Sequence, residues 1–287
     1  MTTYSRFCYQ LVGDYIKPIK NYFLDLRDDL HAARMKFTLD EYLSMAVFTS
    51  VLVFVMEMIG MSVIFGILFG NPIPALLMAT TLSMGFSGAI FFFFYVYPST
   101  VKSKIAENID NLLPFATSYM SAIAAGKTQP IFLFKSIADF GEYNEISKAA
   151  KTIVRNVEMF GMNFSEAVKR EALRTPSKNF RELLWGINTT LSSGGDLRSF
   201  LKEKADELMA EYRRTIKRYS QRLSFLIEIY LTLIISGSIF FIVLTSIMAI
   251  TEGFAIVSIQ SLVVFVFLPI ISIIFLILIK TKSPTGV

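Results

Sequence analysis

The sequence is nearly without cysteine and histidine, and this absence excludes several classes of protein. Its 287 residues include one cysteine, Cys8, and one histidine, His31. A disulfide framework, a zinc site built from cysteine and histidine, and a catalytic triad that needs a histidine with a second thiol are therefore excluded. We expect no catalytic residue, no metal site and no cofactor in this chain.

Two long stretches of the chain are also without positive charge. Residues 43–98 and 226–279 contain no lysine or arginine. The whole chain is 53% hydrophobic and 18% charged, with a mean hydropathy of +0.53, whereas a soluble domain carries about 25% charged residues. The two stretches are therefore predicted to lie in a membrane and not in a large soluble core.

Each of these stretches is long enough for two membrane crossings, because a helix across about 30 Å of hydrocarbon needs roughly 20 apolar residues. Turn-forming residues divide the first stretch at Gly70–Pro74 and the second at Thr251–Gly253. Four spans are predicted, at about Leu43–Phe69, Pro74–Tyr97, Leu226–Ile250 and Phe254–Ile279.

The positive charges predict the orientation of these spans. All 28 lysines and arginines lie outside these two stretches, and short loops rich in these residues stay on the cytoplasmic side. The expected organisation is an N-terminal cytoplasmic segment (1–42), a membrane hairpin (43–98), a cytoplasmic domain (99–225), a second hairpin (226–279) and a cytoplasmic tail (280–287). We expect a multi-pass protein of the cell membrane with both termini in the cytoplasm.

The central segment shows helical and not strand periodicity. Prolines at first-turn positions are expected to open the helices that follow Gln129 and Thr175, while Gly194 and Gly195 end one helix and Asp196 caps the next. The predicted fold is all-α, with four membrane helices and a six-helix cytoplasmic bundle. The six helices are expected at about 101–125, 129–139, 143–159, 164–173, 176–192 and 196–222.

The sixth of these helices has an apolar stripe that continues into the third span. No glycine or proline interrupts it, so we predict one unbroken helix from the cytoplasmic domain into the membrane, a geometry that can transmit rotation or tilt. The stripe recurs at steps of three and four residues and consists of Leu201, Ala205, Leu208, Tyr212, Thr215, Tyr219, Leu223 and Leu226.

A short motif around Lys127 has some features of a phosphate-binding loop. Gly126, Lys127 and Thr128 follow one another, but the first glycine of such a loop is replaced by Ser121. The loop also needs a preceding strand, and the preceding residues are predicted to be helical. Gly126 is therefore interpreted as a helix stop, and no ATP binding is expected.

Basic residues cluster just before the third span, and two roles for them remain open. The cluster could hold anionic lipid headgroups, at about 1 kcal/mol per base, or it could meet an acidic surface on a cytoplasmic partner. Nucleic acid is not expected, because the cluster lacks interleaved stacking aromatics. Its members are Arg213, Arg214, Lys217, Arg218 and Arg222.

Two carboxylates are predicted to lie within or beside the membrane. Glu57 falls near the middle of the first span, where an ionised group costs about 2.5–3.5 kcal/mol on insertion scales. It is either a functional residue or a protonated glutamate that bonds to a neighbouring helix. Glu228 lies six residues after Arg222, and pairing with a base at the cytoplasmic boundary is expected for it.

Several short motifs follow one another over roughly residues 99–250. They are Leu113–Pro114, Ala124–Gly126, Phe160–Gly161, Ala167, Pro176, Gly194–Leu197, Phe200–Leu201, Glu228–Tyr230 and Gly237. Taken in order, these motifs resemble the F domain of type II secretion systems, and in particular its archaeal members in archaellum, type IV pilus and TadC-like platform proteins. The sequence departs from that family at Ser238, which follows Gly237 where the family often has proline.

The resemblance implies a membrane platform, commonly dimeric, that couples a cytoplasmic hexameric secretion ATPase to the extraction of pilin-like subunits from the membrane. A small transporter or channel, and a membrane signalling protein, remain as alternatives. We expect membrane lipid as a further partner and partner contacts on basic residues of the cytoplasmic domain. The candidates are Lys127, Lys135, Arg198, Lys202, Arg213, Arg214, Lys217 and Arg218.

Overall fold

The structure is a computed structural model that describes residues 3–16, 18, 20–126, 128–252, 265–266 and 268–281. Within these residues it contains helices and turns and no strand, as the sequence predicts. Two 3₁₀ turns lie at Lys20–Phe23 and Gly141–Tyr143. The α-helices are α1 (Thr3–Ile16), α2 (Leu24–Ala32), α3 (Leu39–Phe69), α4 (Pro72–Ala124), α5 (Pro130–Asp139), α6 (Asn144–Glu158), α7 (Phe164–Arg174), α8 (Lys178–Ser192), α9 (Leu197–Glu252) and α10 (Leu268–Thr281).

Three helices in the described part of the chain are long and apolar enough to cross a membrane. The stretches concerned are Leu39–Leu68, Pro72–Ala124 and Leu197–Met248. The fourth predicted span, about Phe254–Ile279, falls partly outside the described residues, and of it the structure gives residues 265–266 and helix α10.

Helices α3 and α4 form an antiparallel hairpin with well-defined ends. Thr38 and Glu41 form a reciprocal capping box at the start of α3, and Gly70, with a φ of +64°, ends that helix. The Tyr42 hydroxyl donates to the carbonyl of Phe94 at 2.8 Å. Small buried residues at four-residue spacing let α4 approach α3 closely, namely Ala75, Ala79 and Ser83.

Two helices are longer than predicted. Helix α4 continues from Pro72 to Ala124 with Pro98 and Pro114 inside it, so the separate helix predicted to begin at about 101 is wrong. Helix α9 runs from Leu197 to Glu252, which confirms the unbroken helix expected from the apolar stripe.

The chain divides into two compact units, Met1–Lys202 and Glu203–Val287. In the first unit, α1 and α2 pack against the beginning of α3 around a core that includes Cys8, Leu30 and Leu43. Lys102 of α4 bonds Asp29 of α2 at 2.8 Å. The N-terminal segment is therefore folded onto the α3–α4 hairpin.

Arg34, just after α2, joins this N-terminal segment to the helices that follow α5. Its guanidinium donates to Glu145 Oε2 at 3.2 Å and to Glu171 Oε1 at 3.1 Å. The φ of Arg34 is +53°, and the Met35 amide bonds back to the Leu30 carbonyl at 3.0 Å. This is the helix-ending geometry that usually requires glycine.

Helices α5 to α8 pack with the later part of α4 around a second apolar core. Pro130 stands at the start of α5 as predicted, but the proline prediction for α8 is wrong. That helix begins at Lys178 and is capped by Ser177, whose hydroxyl accepts from the Phe180 amide at 3.0 Å and donates to Asp110 at 2.6 Å. Fully buried core side chains include Ile109, Leu113, Leu133, Phe134, Ile153 and Leu184.

In the second unit, α9 and α10 are in contact through Tyr230. Its hydroxyl lies 2.9 Å from the Ser272 hydroxyl, and its ring stacks on Phe275 with a centroid separation of 4.3 Å. Helix α10 thus contacts α9 at Tyr230, within the apolar part of that helix.

Candidate partner-binding site

Four helix ends meet at one end of the first unit, which we call the tip. The end of α4, the start of α5, the end of α8 and the first turn of α9 surround a cavity of about 440 Å³. Pro98 directly follows the second predicted span, which ends at about Tyr97. Ala124, at the tip, is 26 residues further along α4, or about 39 Å of helix. The cavity is lined by Ala124, Thr128, Pro130, Leu133, Leu191, Asp196, Leu197 and Arg198.

The turn between α8 and α9 is built on two glycines. Gly194 has a φ of +71°, which a residue with a Cβ adopts only at a cost. The Gly195 amide bonds to the Thr190 carbonyl at 2.8 Å, and a Cβ on Gly195 would lie 3.2 Å from Thr190 Cγ2. The structure therefore confirms that these glycines end α8, and it gives each of them a separate reason to be glycine.

Asp196 caps the first turn of α9, as the sequence predicts. Its carboxylate accepts from the amides of Arg198 at 3.1 Å and Ser199 at 3.3 Å, and from the Ser199 hydroxyl at 2.5 Å. The hydrogen bond from the Ser199 side chain, with help from the two amides, lowers the pKa of Asp196. A carboxylate already fills the anion-binding end of this helix, which disfavours phosphate binding there.

Replacing Asp196 by alanine should loosen the first turn of α9, because two amides lose their acceptor. We expect hydrogen exchange at Arg198 and Ser199 to become severalfold faster, while Asp196→Asn, which keeps an acceptor, stays close to the wild type at neutral pH. Because the pKa of Asp196 is lowered on folding, its stabilisation is present above the ordinary value of 3.8 and is lost as the pH falls below it. Unchanged exchange in Asp196→Ala would contradict this role.

The basic candidates occupy several different places. Lys127 lies outside the described residues. Arg198 and Lys202 are exposed at the start of α9, and Arg198 also lines the cavity. Lys135 of α5 is exposed and pairs with Glu158 at 3.1 Å, a surface pair of small energetic value. The remaining candidates are exposed on α9 in the second unit and are Arg213, Arg214, Lys217 and Arg218.

The motif residues have structural roles where the contacts are visible. Pro114 is buried within α4, and the Gly126 amide bonds to the Ile123 carbonyl at 3.0 Å in the turn after that helix. Gly161, with a φ of +64°, follows α6. Gly237 lies inside α9, and a Cβ there would meet nothing within 4 Å among the described residues.

The two carboxylates predicted to lie within or beside the membrane differ in their surroundings. Glu57 is half-buried in α3, and its Oε2 atom is buried without a hydrogen-bond partner among the described residues. Glu228 is exposed on α9 and lines a shallow groove along one side of that helix with Phe225, Thr232 and Gly237.

One contact near the tip was not predicted. Phe200 of α9 packs its ring directly over Gly186 of α8, so closely that a Cβ at Gly186 would lie 2.2 Å from Cζ of the ring. Phe200 belongs to the motif Phe200–Leu201 found in the sequence, but a single sequence contains no signal that Gly186 is its partner. This contact holds the first turn of α9 against α8.

The described residues form helices without strands, and their three long apolar helices indicate a multi-pass membrane protein. Residues 116–245 match the family described as type II secretion system (T2SS), protein F. This match confirms, over these residues, the resemblance seen in the sequence.

Two archaeal proteins are also similar to part of the chain. An uncharacterized protein of Methanocaldococcus jannaschii is 26% identical over 135 residues, which cover 47% of this chain and 23% of that protein. The flagella accessory protein J of the same organism is 29% identical over 99 residues, 34% of this chain and 18% of that protein. The chain therefore matches less than a quarter of the length of either relative. No solved structure matches.

Proposed function

We propose that this protein is a non-enzymatic membrane platform of a type IV pilus-like, archaellum-like or type II secretion-like machine. It couples a cytoplasmic hexameric secretion ATPase to the extraction of pilin-like subunits and their assembly into a filament. The observation that carries this proposal is α9, a single helix that begins at the tip beside Gly194–Asp196 and continues to Glu252. The family match over residues 116–245 supports it.

The proposed arrangement has four spans with both termini in the cytoplasm of a cell-membrane protein. The contacts of Tyr230 with Ser272 and Phe275 support a fourth span, because through them the apolar helix α10 touches α9. Residues 99–225 then form the cytoplasmic six-helix domain, made of α5 to α8 and the cytoplasmic parts of α4 and α9. Residues 1–42 and 280–287 lie on the same side of the membrane.

In this proposal the ATPase docks at the tip. Arg198 and Lys202 are exposed there, beside a turn that is held by the Gly195–Thr190 hydrogen bond and the Asp196 cap. A fixed turn at the base of a long helix transmits an applied force better than a mobile loop does. The basic residues Arg213–Arg218 are proposed to hold anionic lipid headgroups at the membrane surface, and two copies of the chain to form the working platform.

The test is ATP hydrolysis by the cognate secretion ATPase with and without the full chain in lipid nanodiscs. The chain alone should hydrolyse no ATP and should change the rate of the ATPase. The double variant Arg198→Glu/Lys202→Glu should abolish most of this change. Lys178→Glu is the matched control, since Lys178 is exposed at the opposite end of α8, and it should behave as wild type.

Two results would contradict the proposal. Intrinsic ATP hydrolysis that disappears in Lys127→Ala would make the chain an ATPase itself. An equal loss in the tip variant and in the Lys178 control would show that charge in general, and not the tip, determines the coupling.

A further inference from the structure

Helix α1 has an apolar face that is wider than the surface it buries. Tyr4, Phe7, Leu11 and Tyr15 recur at steps of three and four residues and therefore share one side of the helix. All four are exposed, Leu11 to 52% and Tyr15 to 77%. The adjacent side carries Cys8 and Ile16, which are buried, and Val12, which is partly buried.

Helix α1 packs along the first turns of α3, and two residues of the exposed stripe touch that helix at their edges. The Tyr4 hydroxyl lies 2.9 Å from the Thr49 hydroxyl, and the ring of Phe7 meets that of Phe48 edge to face at 5.8 Å. Further along α1, Gln10 borders a pocket with Asp40. Helix α1 is thus antiparallel to α3, and its first residues lie beside the more deeply placed part of that helix.

The position of Thr49 fixes how deep α1 lies. Thr49 is ten residues into α3, about 15 Å along the helix from Leu39. The exposed apolar residues Val51 and Leu52 follow immediately, and they belong to the stretch that is apolar enough to span a membrane. The exposed stripe of α1 is therefore continuous with the lipid-facing surface of α3.

We propose that α1 is a membrane anchor whose exposed stripe inserts into one leaflet of the bilayer beside α3. With 14 residues the helix is about 21 Å long, too short to span, and its hydroxylated aromatics suit the boundary between acyl chains and headgroups. Arg6, on the opposite side of the helix, and Gln10, at the flank of the stripe, border the polar pocket with Thr38, Asp40 and Glu41, and Arg6 stays in contact with water. The occupant of the stripe is phospholipid.

This inference changes the role expected for residues 1–42. Residues 1–42 are held at the membrane surface, because α1, their first helix, sets the depth and tilt of α3 in the leaflet. The assignment of α1 to the cytoplasmic leaflet rests on the orientation given in the proposed function. The contact between the stripe and lipid does not depend on that orientation. An experiment can therefore contradict the lipid contact without contradicting the proposed function, and the reverse.

The test uses tryptophan fluorescence of the full chain in phosphatidylcholine vesicles whose acyl chains are brominated near the headgroup. Single tryptophans are placed at Phe7, Leu11 and Arg6 in a Trp185→Phe background. Leu52→Trp serves as the lipid-exposed reference and Phe132→Trp, exposed on α5, as the reference outside the membrane. Phe7→Trp and Leu11→Trp should be quenched to about the extent of Leu52→Trp, and Arg6→Trp distinctly less.

Quenching of both stripe positions no stronger than that of Phe132→Trp would overturn the proposal. If in that case their emission is also shifted to the blue, a second copy of the chain or a partner helix covers the stripe instead of lipid. The stripe carries two probes because Phe7→Trp alters the ring contact between Phe7 and Phe48, whereas Leu11→Trp leaves that contact intact.

Discussion

Arg34→Ala is expected to lower the free energy of unfolding by about 3 kcal/mol, the lower end of the range for removing one partner of a buried ion pair. The Glu171 side chain is only 6% exposed, and Arg34 is its partner at 3.1 Å. Without the guanidinium, the buried carboxylate loses its nearest positive charge. The lower end applies because the Arg34 side chain is 26% exposed and water can partly replace it.

The loss should depend on pH in a defined direction. Burial raises the pKa of Glu171 above its ordinary value of 4.5, and the charges of Arg34 and Arg174 oppose that rise. A raised pKa favours folding at low pH, and this contribution is lost as the pH rises through the pKa of the folded state. Because removal of Arg34 raises that pKa further, Arg34→Ala should cost most at neutral pH and less near pH 4.5.

The measurement is thermal or denaturant unfolding of the full chain in detergent at both pH values. Arg27→Ala is the control, since Arg27 and Asp28 form an exposed pair at 3.8 Å, and it should stay within about 0.5 kcal/mol of the wild type. The double variant Arg34→Ala/Glu171→Gln should recover much of the loss. An Arg34→Ala variant no less stable than Arg27→Ala would show that the ion pair does not hold the N-terminal segment in place.

The sequence predicted the parts of this fold that depend on local chemistry. The order of helices α5 to α8 follows from apolar periodicity and from helix-ending residues, and Gly194 and Asp196 have the roles that their residue types favour. The absence of positive charge correctly marked the apolar helices. Each of these signals acts within one or two helical turns, so a single sequence is enough to read it.

What the sequence could not predict depends on contacts between distant residues or on competing local signals. Proline usually ends a helix, yet Pro98 and Pro114 lie inside α4, where surrounding packing outweighs the local cost. Arg34 reaches Glu145 and Glu171 across more than 100 positions. Its left-handed backbone even contradicts the residue preference for that conformation, so no local rule would have selected it.

The candidate site was predictable only in part. Its turns were found through Gly126, Gly194 and Asp196, but their meeting around one cavity is a property of the folded chain. The same holds for Gly186, which in sequence is an ordinary helix glycine of poor helix propensity. Only the structure shows that the ring of Phe200 occupies the space that a side chain there would need.

Gly186→Ala is therefore expected to separate the first turn of α9 from α8. The new Cβ would lie 2.2 Å from Cζ and 2.8 Å from Cε2 of Phe200, and a rigid ring cannot bend away as an aliphatic side chain does. The ring must leave its place or the two helices must move apart. Overpacking of this kind costs about 1–3 kcal/mol, which equals or exceeds the gain in helix propensity from glycine to alanine, about 1 kcal/mol.

Hydrogen exchange over residues 197–202 measures this separation directly, and the rate change of the ATPase measures its consequence for coupling. Gly186→Ala should speed exchange there and reduce the coupling, whereas Gly85→Ala, with nothing within 4 Å of its Cβ among the described residues, should do neither. Gly186→Ala/Phe200→Leu should restore protection, because the smaller side chain makes room for the methyl group. If coupling is unchanged while exchange is fast, force does not enter α9 through its contact with α8, and the route from the tip to the membrane must begin further along the helix.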